Sequence, residues 1–138
     1  MSEAELAVVQ RNSAAFSARD VEAMLECYAS DATVVDRRRV GFGTFTGHDE
    51  LRAYYHGIVD AAFEMHEDLK VLAARDGLVA AHCDLRARLA SDPGGPELGA
   101  EYGLVLHLRD LKIATLEICE NGAHALEVSG LTRGQDPL

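Results

Sequence analysis

The sequence predicts an α+β fold, in which helices precede a sheet of consecutive antiparallel strands. In the first 62 residues, apolar side chains recur at intervals of three and four, which is the period of a helix. From residue 78 onward they alternate with polar ones, which is the period of a strand. The chain has 138 residues, 48% of them hydrophobic, and shows no repeat or linker. We therefore expect a single domain over 1–129 and a flexible tail over 130–138.

Three helices are predicted in the first part of the chain. The first has its apolar face over 6–16, and Asp20 is a suitable N-cap for the second, whose inner stripe runs over 21–28. A short apolar strand over 32–36 follows. A glycine-containing loop then leads to Thr46, which resembles the first residue of a capping box for the third helix.

Four strands are predicted over 64–74, 78–90, 97–109 and 112–120. Asp76-Gly77 is a strong two-residue hairpin signal, and turns this short predict antiparallel pairing. Alternation is clearest in the second strand, where the apolar side chains share one face. The polar side chains share the opposite face of the strand, and this face points either into a site or toward solvent. These residues are His82, Asp84, Arg86 and Arg88.

The charge of the chain excludes several classes of partner. Its 13 Lys and Arg against 23 Asp and Glu give a net charge of −10, which disfavours nucleic acid and anionic membrane surfaces. Cys27, Cys83 and Cys119 form no C-x-x-C pair, so we expect buried free thiols in a reducing cytoplasm. The acidic start and the lack of a long apolar run predict neither a signal peptide nor a transmembrane helix.

Two segments give the chain a family resemblance. ARDVEAMLECYASDATVVD over 18–36 and GHDELRAYY over 47–55 resemble the nuclear transport factor 2-like superfamily, especially its SnoaL-like polyketide cyclase, ketosteroid isomerase-like and polyether epoxide hydrolase-like branches. With the strand order, the resemblance covers about residues 5–125. It implies a single SnoaL-like domain shaped as a cone, in which a curved antiparallel sheet wraps around three N-terminal helices and encloses an apolar pocket. It also implies a homodimer through the outer face of the sheet.

Asp36 is the first candidate for chemistry. It ends a short apolar strand, where burial at the edge of a cavity would raise its pKa, as a general base requires. The resemblance supports this role, since Asp36 matches the position of the ketosteroid isomerase base. The alternative is a turn aspartate that binds its own backbone or pairs with a neighbouring arginine. The oxyanion pair of that branch falls near Asn12 and Gly103, which cannot reproduce it, so we do not expect a steroid isomerase.

Glu64 and His82 are candidates for the acid partner of Asp36. The resemblance to the epoxide hydrolase branch implies a second carboxylate about as far along the chain as Glu64, and His82 can transfer a proton near neutral pH. The alternative for Glu64 is that it forms a solvated edge of the sheet together with Glu67 and Asp68. The alternative for His82 is that it lies on the solvent-exposed face of the sheet. Clustered metal-ligand spacing is missing from the sequence, so we expect no metal site.

The residues expected to bind substrate are an arginine and several aromatic side chains. Arg39 belongs to an arginine run over 37–39 at the expected pocket mouth, where it could bind a carboxylate or enolate, or could simply be solvated. The aromatic candidates for the lining or lid of the pocket are Phe16, Tyr28, Phe42, Tyr55 and Tyr102.

Together these features predict a small acid/base enzyme that requires no cofactor. We expect it to cyclise, isomerise or open an epoxide on an apolar, oxygenated, polyketide-like small molecule, and to act as a cytoplasmic homodimer. The alternative is a non-catalytic ligand-binding or dimerisation module of the same fold, which would keep the pocket but lack paired carboxylates facing it.

Overall fold

The computed structural model describes residues 1–136 and shows the predicted α+β architecture. Three N-terminal helices pack inside a curved, unclosed sheet of six strands, which is the expected cone. The elements in chain order are α1 (Glu3–Ser17), α2 (Val21–Glu26), β1 (Tyr28–Asp36), β2 (Thr44–Thr46), α3 (Gly47–Val59), β3 (Ala62–Arg75), β4 (Leu78–Leu89), β5 (Leu98–Arg109), β6 (Lys112–Cys119) and α4 (Gly122–Ser129).

Side-chain caps define where the first two helices begin. Ser2 and Glu5 form a capping box at the start of α1, with 3.1 Å between the Glu5 N–H nitrogen and the Ser2 hydroxyl. Asp20 caps α2 as predicted, since its carboxylate accepts a hydrogen bond from the Ala23 N–H at 3.0 Å. Because α2 ends at Glu26, Tyr28 begins β1 instead of continuing the inner stripe of the helix.

The segment before α3 contains a strand where the sequence predicted only a loop. This strand, β2, pairs antiparallel with β1. Thr46 is the N-cap of α3, but its side chain makes no capping hydrogen bond, and its N–H donates to the Glu50 carboxylate at 3.0 Å. The capping box that was predicted to begin at Thr46, with Asp49 three residues later, is therefore wrong.

The strands lie in the order β2-β1-β6-β5-β4-β3. Strands β3 to β6 form the predicted antiparallel meander, and Asp76 and Gly77 have φ values of 45° and 79°, as a type I′ hairpin turn requires. β1 runs parallel to β6, with Val35 opposite Glu117, so the sheet is mixed rather than wholly antiparallel. Residues so far apart in the chain leave no local signal of their pairing.

The predicted alternation of β4 is confirmed. Ala81 and Cys83 belong to the core that the helices cover, whereas His82 and Asp84 lie on the outer face of the sheet. The three cysteines are buried and free, as expected.

A fourth helix, α4, was not predicted, and it packs on the outer face of the sheet against β4 and β5. Asn121 caps it by accepting a hydrogen bond from the His124 N–H at 2.9 Å, and Gly130 ends it with a φ of 74°. Gly103 permits the close packing, because a Cβ atom there would lie 2.0 Å from the Asn121 carbonyl oxygen. The helix therefore occupies part of the face through which the family resemblance implies a homodimer.

The first residues of the predicted flexible tail lie along the sheet. Leu131 is buried in the small core beneath α4. The Gly134 N–H donates to the Leu72 carbonyl at 2.8 Å, and the Ala74 N–H donates to the Gln135 carbonyl at 2.9 Å. Residues 137–138 of that tail lie outside the described residues. Within 1–136, none of the helices has the length and apolar character that crossing a membrane requires.

Candidate functional site

An apolar cavity lies between the helices and the inner face of the sheet. It encloses about 210 Å³ and receives side chains from the three N-terminal helices, four strands and the loop after β1. A mostly apolar cavity with a few converging polar groups is the usual form of a small-molecule site. The polar side chains that line it are those of Asn12, Arg38, Tyr54, Tyr55, Glu67 and Tyr102.

Most of the predicted aromatic residues are brought to this cavity. Phe16, Phe42, Tyr55 and Tyr102 line it. Tyr28 lies behind Tyr55, and their two hydroxyl oxygens are 2.7 Å apart. Burial raises the pKa of both phenols, so each is a neutral hydrogen-bonding group.

The three consecutive arginines point to three different places. The Arg37 Nε donates to the Glu117 carboxylate at 2.5 Å on the outer side of the sheet. The Arg38 side chain turns inward and lines the cavity. Arg39, the predicted binding residue, does not line it, and its main-chain N–H donates to Glu120 at 2.5 Å. The arginine of the cavity is therefore Arg38 rather than Arg39.

Asp36 holds Arg38 in place. Its carboxylate is fully buried and accepts from the Arg38 N–H (3.1 Å), Nε (2.9 Å) and Nη2 (2.8 Å) and from the Phe42 N–H (3.2 Å). A carboxylate has about four acceptor positions, and these bonds use them all. Burial acts to raise the pKa of Asp36, but the hydrogen bonds and charge of Arg38 outweigh it, so the pKa lies below its usual value. The predicted raised pKa is wrong, and the alternative, pairing with an arginine, is what the structure shows.

Glu67, on β3, is the carboxylate that lines the cavity. Its residue is only 8% exposed, and its side chain accepts hydrogen bonds from the Ser13 hydroxyl at 2.7 Å and from the Tyr102 hydroxyl. Burial raises the pKa of Glu67, although the bonds from Tyr102 and Ser13 act against it. A carboxyl whose pKa is moved toward neutral pH can both take and give a proton during a reaction.

The sequence contained a signal for Glu67 that its interpretation as a solvated edge missed. Met65, Glu67 and Leu69 occupy alternate positions of β3, so Glu67 stands in an otherwise apolar stripe. The side-chain period of a strand is two, and a carboxylate in the apolar phase must face the interior with its neighbours. Glu64 lies in the other phase.

The structure does not bring the other two predicted catalytic residues to the cavity. Glu64 is exposed on β3 and pairs with Arg88 on β4, 2.8 Å away, as expected of a solvated edge. His82 lies on the outer face of the sheet, where its Nδ1 accepts a hydrogen bond from the Gly122 N–H of α4 at 3.0 Å. Asp36, Glu64 and His82 therefore do not share one site.

His82 also belongs to a cluster of possible metal ligands on the outer face. Its ring nitrogen and the carboxylates of Asp84 and Glu101 lie within 4.8 Å of one another. Because Nδ1 accepts from Gly122, the proton of neutral His82 is on Nε2, which faces Asp84 at 3.5 Å and Glu101 at 3.8 Å. A protonated Nε2 has no lone pair for a metal, so the cluster is better described as a histidine that faces two carboxylates.

Solved structures of the same fold share little sequence with this chain. A nuclear transport factor 2-like protein of unknown function from Burkholderia pseudomallei is 19% identical, with a TM-score of 0.71 over 94% of this chain and 98% of its own. AusH from Aspergillus nidulans is 13% identical, with a TM-score of 0.72 over 86% and 84%. SalBIII, an epoxide hydrolase/cyclase-like enzyme of pyran ring formation in the polyether salinomycin, is 20% identical, with a TM-score of 0.71 over 87% and 92%. At these identities the likeness shows the fold alone.

No curated protein matches the chain. The model of the SnoaL-like domain, in contrast, matches residues 9–116, which extend from α1 into β6 and include most of the cavity lining. This match covers well over half of the chain, and its range agrees with the resemblance of the two N-terminal segments. The chain therefore belongs to the SnoaL-like domain family of the nuclear transport factor 2-like superfamily.

Proposed function

We propose that this protein is a small acid/base enzyme of the SnoaL-like type that needs no cofactor. It would cyclise, isomerise or open an epoxide on an apolar, oxygenated small molecule. The observation that carries the proposal is the position of Glu67, whose buried carboxyl faces an apolar cavity and has a raised pKa. Perturbed carboxyl groups in such cavities are candidates for proton transfer.

The two charged groups of the cavity, Glu67 and Arg38, each have a role in this proposal. Ionised Glu67 would take a proton from a carbon next to a substrate carbonyl, which leaves an enolate. Alternatively, neutral Glu67 would protonate an epoxide oxygen as its C–O bond breaks, and the resulting carboxylate would take the proton of the water or substrate hydroxyl group that adds to the carbon. Arg38 would stabilise the negative charge that develops on a substrate oxygen. Asp36 is proposed as a positioning residue that orients Arg38, because its acceptor positions are already used.

One observation favours a second candidate function, the binding of a small ligand without catalysis. Of the aspartates and glutamates within 1–136, Glu67 is the one that lines the cavity. The resemblance to the epoxide hydrolase branch implied two carboxylates with separate roles. A cavity with a single carboxyl would suit a one-base reaction, such as enolisation, or no reaction at all.

The test is proton transfer and epoxide opening on two simple probes. Exchange of the α-hydrogens of 1-indanone for deuterium reports enolisation, and conversion of styrene oxide to its diol reports epoxide opening. We expect the wild-type protein to accelerate at least one reaction, and Glu67→Gln to slow that reaction by about 10²–10⁴-fold, as is typical of a general acid or base.

The matched control is Glu64→Gln, the same change on the same strand but outside the cavity. We expect it to keep at least half of the wild-type rate. A Glu67→Gln variant that retains more than a tenth of the wild-type rate would refute the assignment of Glu67. A wild-type protein that binds the probes without accelerating either reaction would favour the ligand-binding alternative.

A further inference from the structure

Asn12 has a polar atom that the protein leaves without a partner. This residue of α1 is 5% exposed, and it lines the same cavity as Glu67. Within 1–136, no group donates a hydrogen bond to its buried Oδ1 atom. More than nine in ten buried polar groups in proteins have a partner, so an exception requires an explanation.

The surroundings of Asn12 show why the protein does not supply that partner. Two hydroxyl donors, that of Ser13 on the same helix and that of Tyr102 in the same cavity, are used by Glu67. The hydroxyl groups of Tyr28 and Tyr55 lie 2.7 Å apart and pair with each other. The amide oxygen of Asn12 receives no hydrogen bond from any of these four groups.

Packing gives no reason for an asparagine at this position. The neighbouring inward positions of α1 carry Val8, Val9 and Phe16, all of which are buried in the core. An apolar side chain at position 12 would pack with these residues. It would also avoid the free-energy cost of a buried oxygen that accepts no hydrogen bond. Asn12 therefore has the properties of a group that is completed by a molecule in the cavity.

We propose that Asn12 is a ligand-binding residue whose amide oxygen accepts a hydrogen bond from a hydroxyl group of the bound molecule. The ligand class is a compact, apolar ring compound that carries a phenolic or enolic O–H. This inference uses the cavity in which the proposed function places catalysis, and it names one feature of the substrate. It does not require Glu67 to transfer a proton, so either proposal can fail alone.

The first test compares two probes of nearly the same shape, 2-naphthol and 2-methylnaphthalene, by isothermal titration or fluorescence. We expect wild-type protein to bind the naphthol about tenfold more tightly, which corresponds to ~1.4 kcal/mol. In Asn12→Ala and Asn12→Leu the two affinities should agree within about twofold, because the acceptor is gone. The use of a ratio cancels changes in the shape of the cavity.

Glu67→Gln is the control for the alternative acceptor. If the naphthol hydroxyl binds Asn12, its preference over the methyl compound persists in Glu67→Gln. A preference that survives in the Asn12 variants, or disappears in Glu67→Gln instead, would overturn the inference. So would the failure of wild-type protein to bind either probe.

The second test separates ligand binding from a structural role. A structural asparagine is destabilising to replace, whereas removal of an unpaired buried oxygen is neutral or stabilising. We therefore expect Asn12→Leu to unfold at or above the wild-type midpoint temperature. A clear fall in that midpoint would assign Asn12 to the architecture of the helix and contradict the proposal.

Discussion

Replacement of Glu67 by glutamine should change how the stability of the protein depends on pH. Burial raises the pKa of this carboxyl above 4.5, the ordinary value, so the folded protein binds the proton more tightly than the unfolded chain does. The stability that this proton contributes is therefore fully present below the unfolded pKa, and it is lost as pH rises through the folded pKa. Glu67→Gln has no such proton to lose.

The magnitude follows from the titration of one group. Between the unfolded and folded pKa values, wild-type protein loses about 1.4 kcal/mol per pH unit relative to Glu67→Gln, and the difference is constant at higher pH. A change of 1 kcal/mol moves the unfolding midpoint of a domain of this size by ~3–5 °C. The amide also weakens the hydrogen bonds from Ser13 and Tyr102, at a cost of about 1 kcal/mol that does not vary with pH. The slope with pH is thus the quantity to measure.

The assay is urea unfolding at half-unit steps between about pH 4 and pH 8, which covers the range of a raised carboxyl pKa. The free energy of unfolding is compared for wild type, Glu67→Gln and Glu64→Gln. We expect the free energy of unfolding of Glu67→Gln to rise relative to that of wild type as pH rises. The free energy of unfolding of Glu64→Gln, the exposed control, should follow that of wild type. A difference between Glu67→Gln and wild type that is flat across the range, or that falls as pH rises, would refute the account of Glu67 as a buried acid.

Three further predictions concern other parts of the fold. Asp36→Asn should lower the free energy of unfolding by about 2–3 kcal/mol at neutral pH, because Arg38 loses a charged acceptor. Since the pKa of Asp36 is lowered in the folded protein, this difference should shrink in urea titrations as pH falls through the folded pKa. A difference that stays constant with pH would contradict the ion pair. Gly103→Ala should lower the free energy of unfolding by about 1–3 kcal/mol, because the added Cβ meets the Asn121 carbonyl. Gly57→Ala is the control: it adds a Cβ in open space on α3 and should raise the free energy of unfolding by about 0.5–1 kcal/mol. Equal melting temperatures for the two variants would exclude the packing constraint on α4. The homodimer through the part of the outer sheet face that α4 leaves open remains a prediction. Sedimentation should give twice the 14.9 kDa mass of one chain, and Arg86→Glu on that face should shift the protein toward monomer. A wild-type protein that sediments as a monomer would rule the homodimer out.

Features that depend on residues close together in the chain were predictable from the sequence. Asp20 caps α2 through the N–H three residues later, and the positive φ values of Asp76 and Gly77 are ones that aspartate and glycine tolerate in a two-residue turn. The alternation of β4 identified its inner and outer faces for the same reason, since the direction of each side chain is set by the strand itself.

Features that depend on distant contacts were not predictable in this way. The parallel pairing of β1 with β6 joins the two ends of the domain, and α4 is a short helix whose place is set by the space above Gly103. The pairing of Asp36 with an arginine was among the alternatives, but the sequence did not show which of the three arginines that follow Asp36 would be the partner. The turn of the main chain after β1 selected the second of them.

The sequence by itself determined the helices of the N-terminal half, the strand meander and its apolar face, because caps, turns and alternation act over a few residues. The superfamily came from the resemblance of two N-terminal segments to known family members. Only the tertiary structure decided which carboxylate faces the cavity. Glu67 and Glu64 are chemically identical and three positions apart, but Glu67 meets the Ser13 hydroxyl from 54 positions earlier in the chain. The burial that raises its pKa comes from the packing of α1 and β5 around it, and Glu64, on the other phase of the same strand, stays in water.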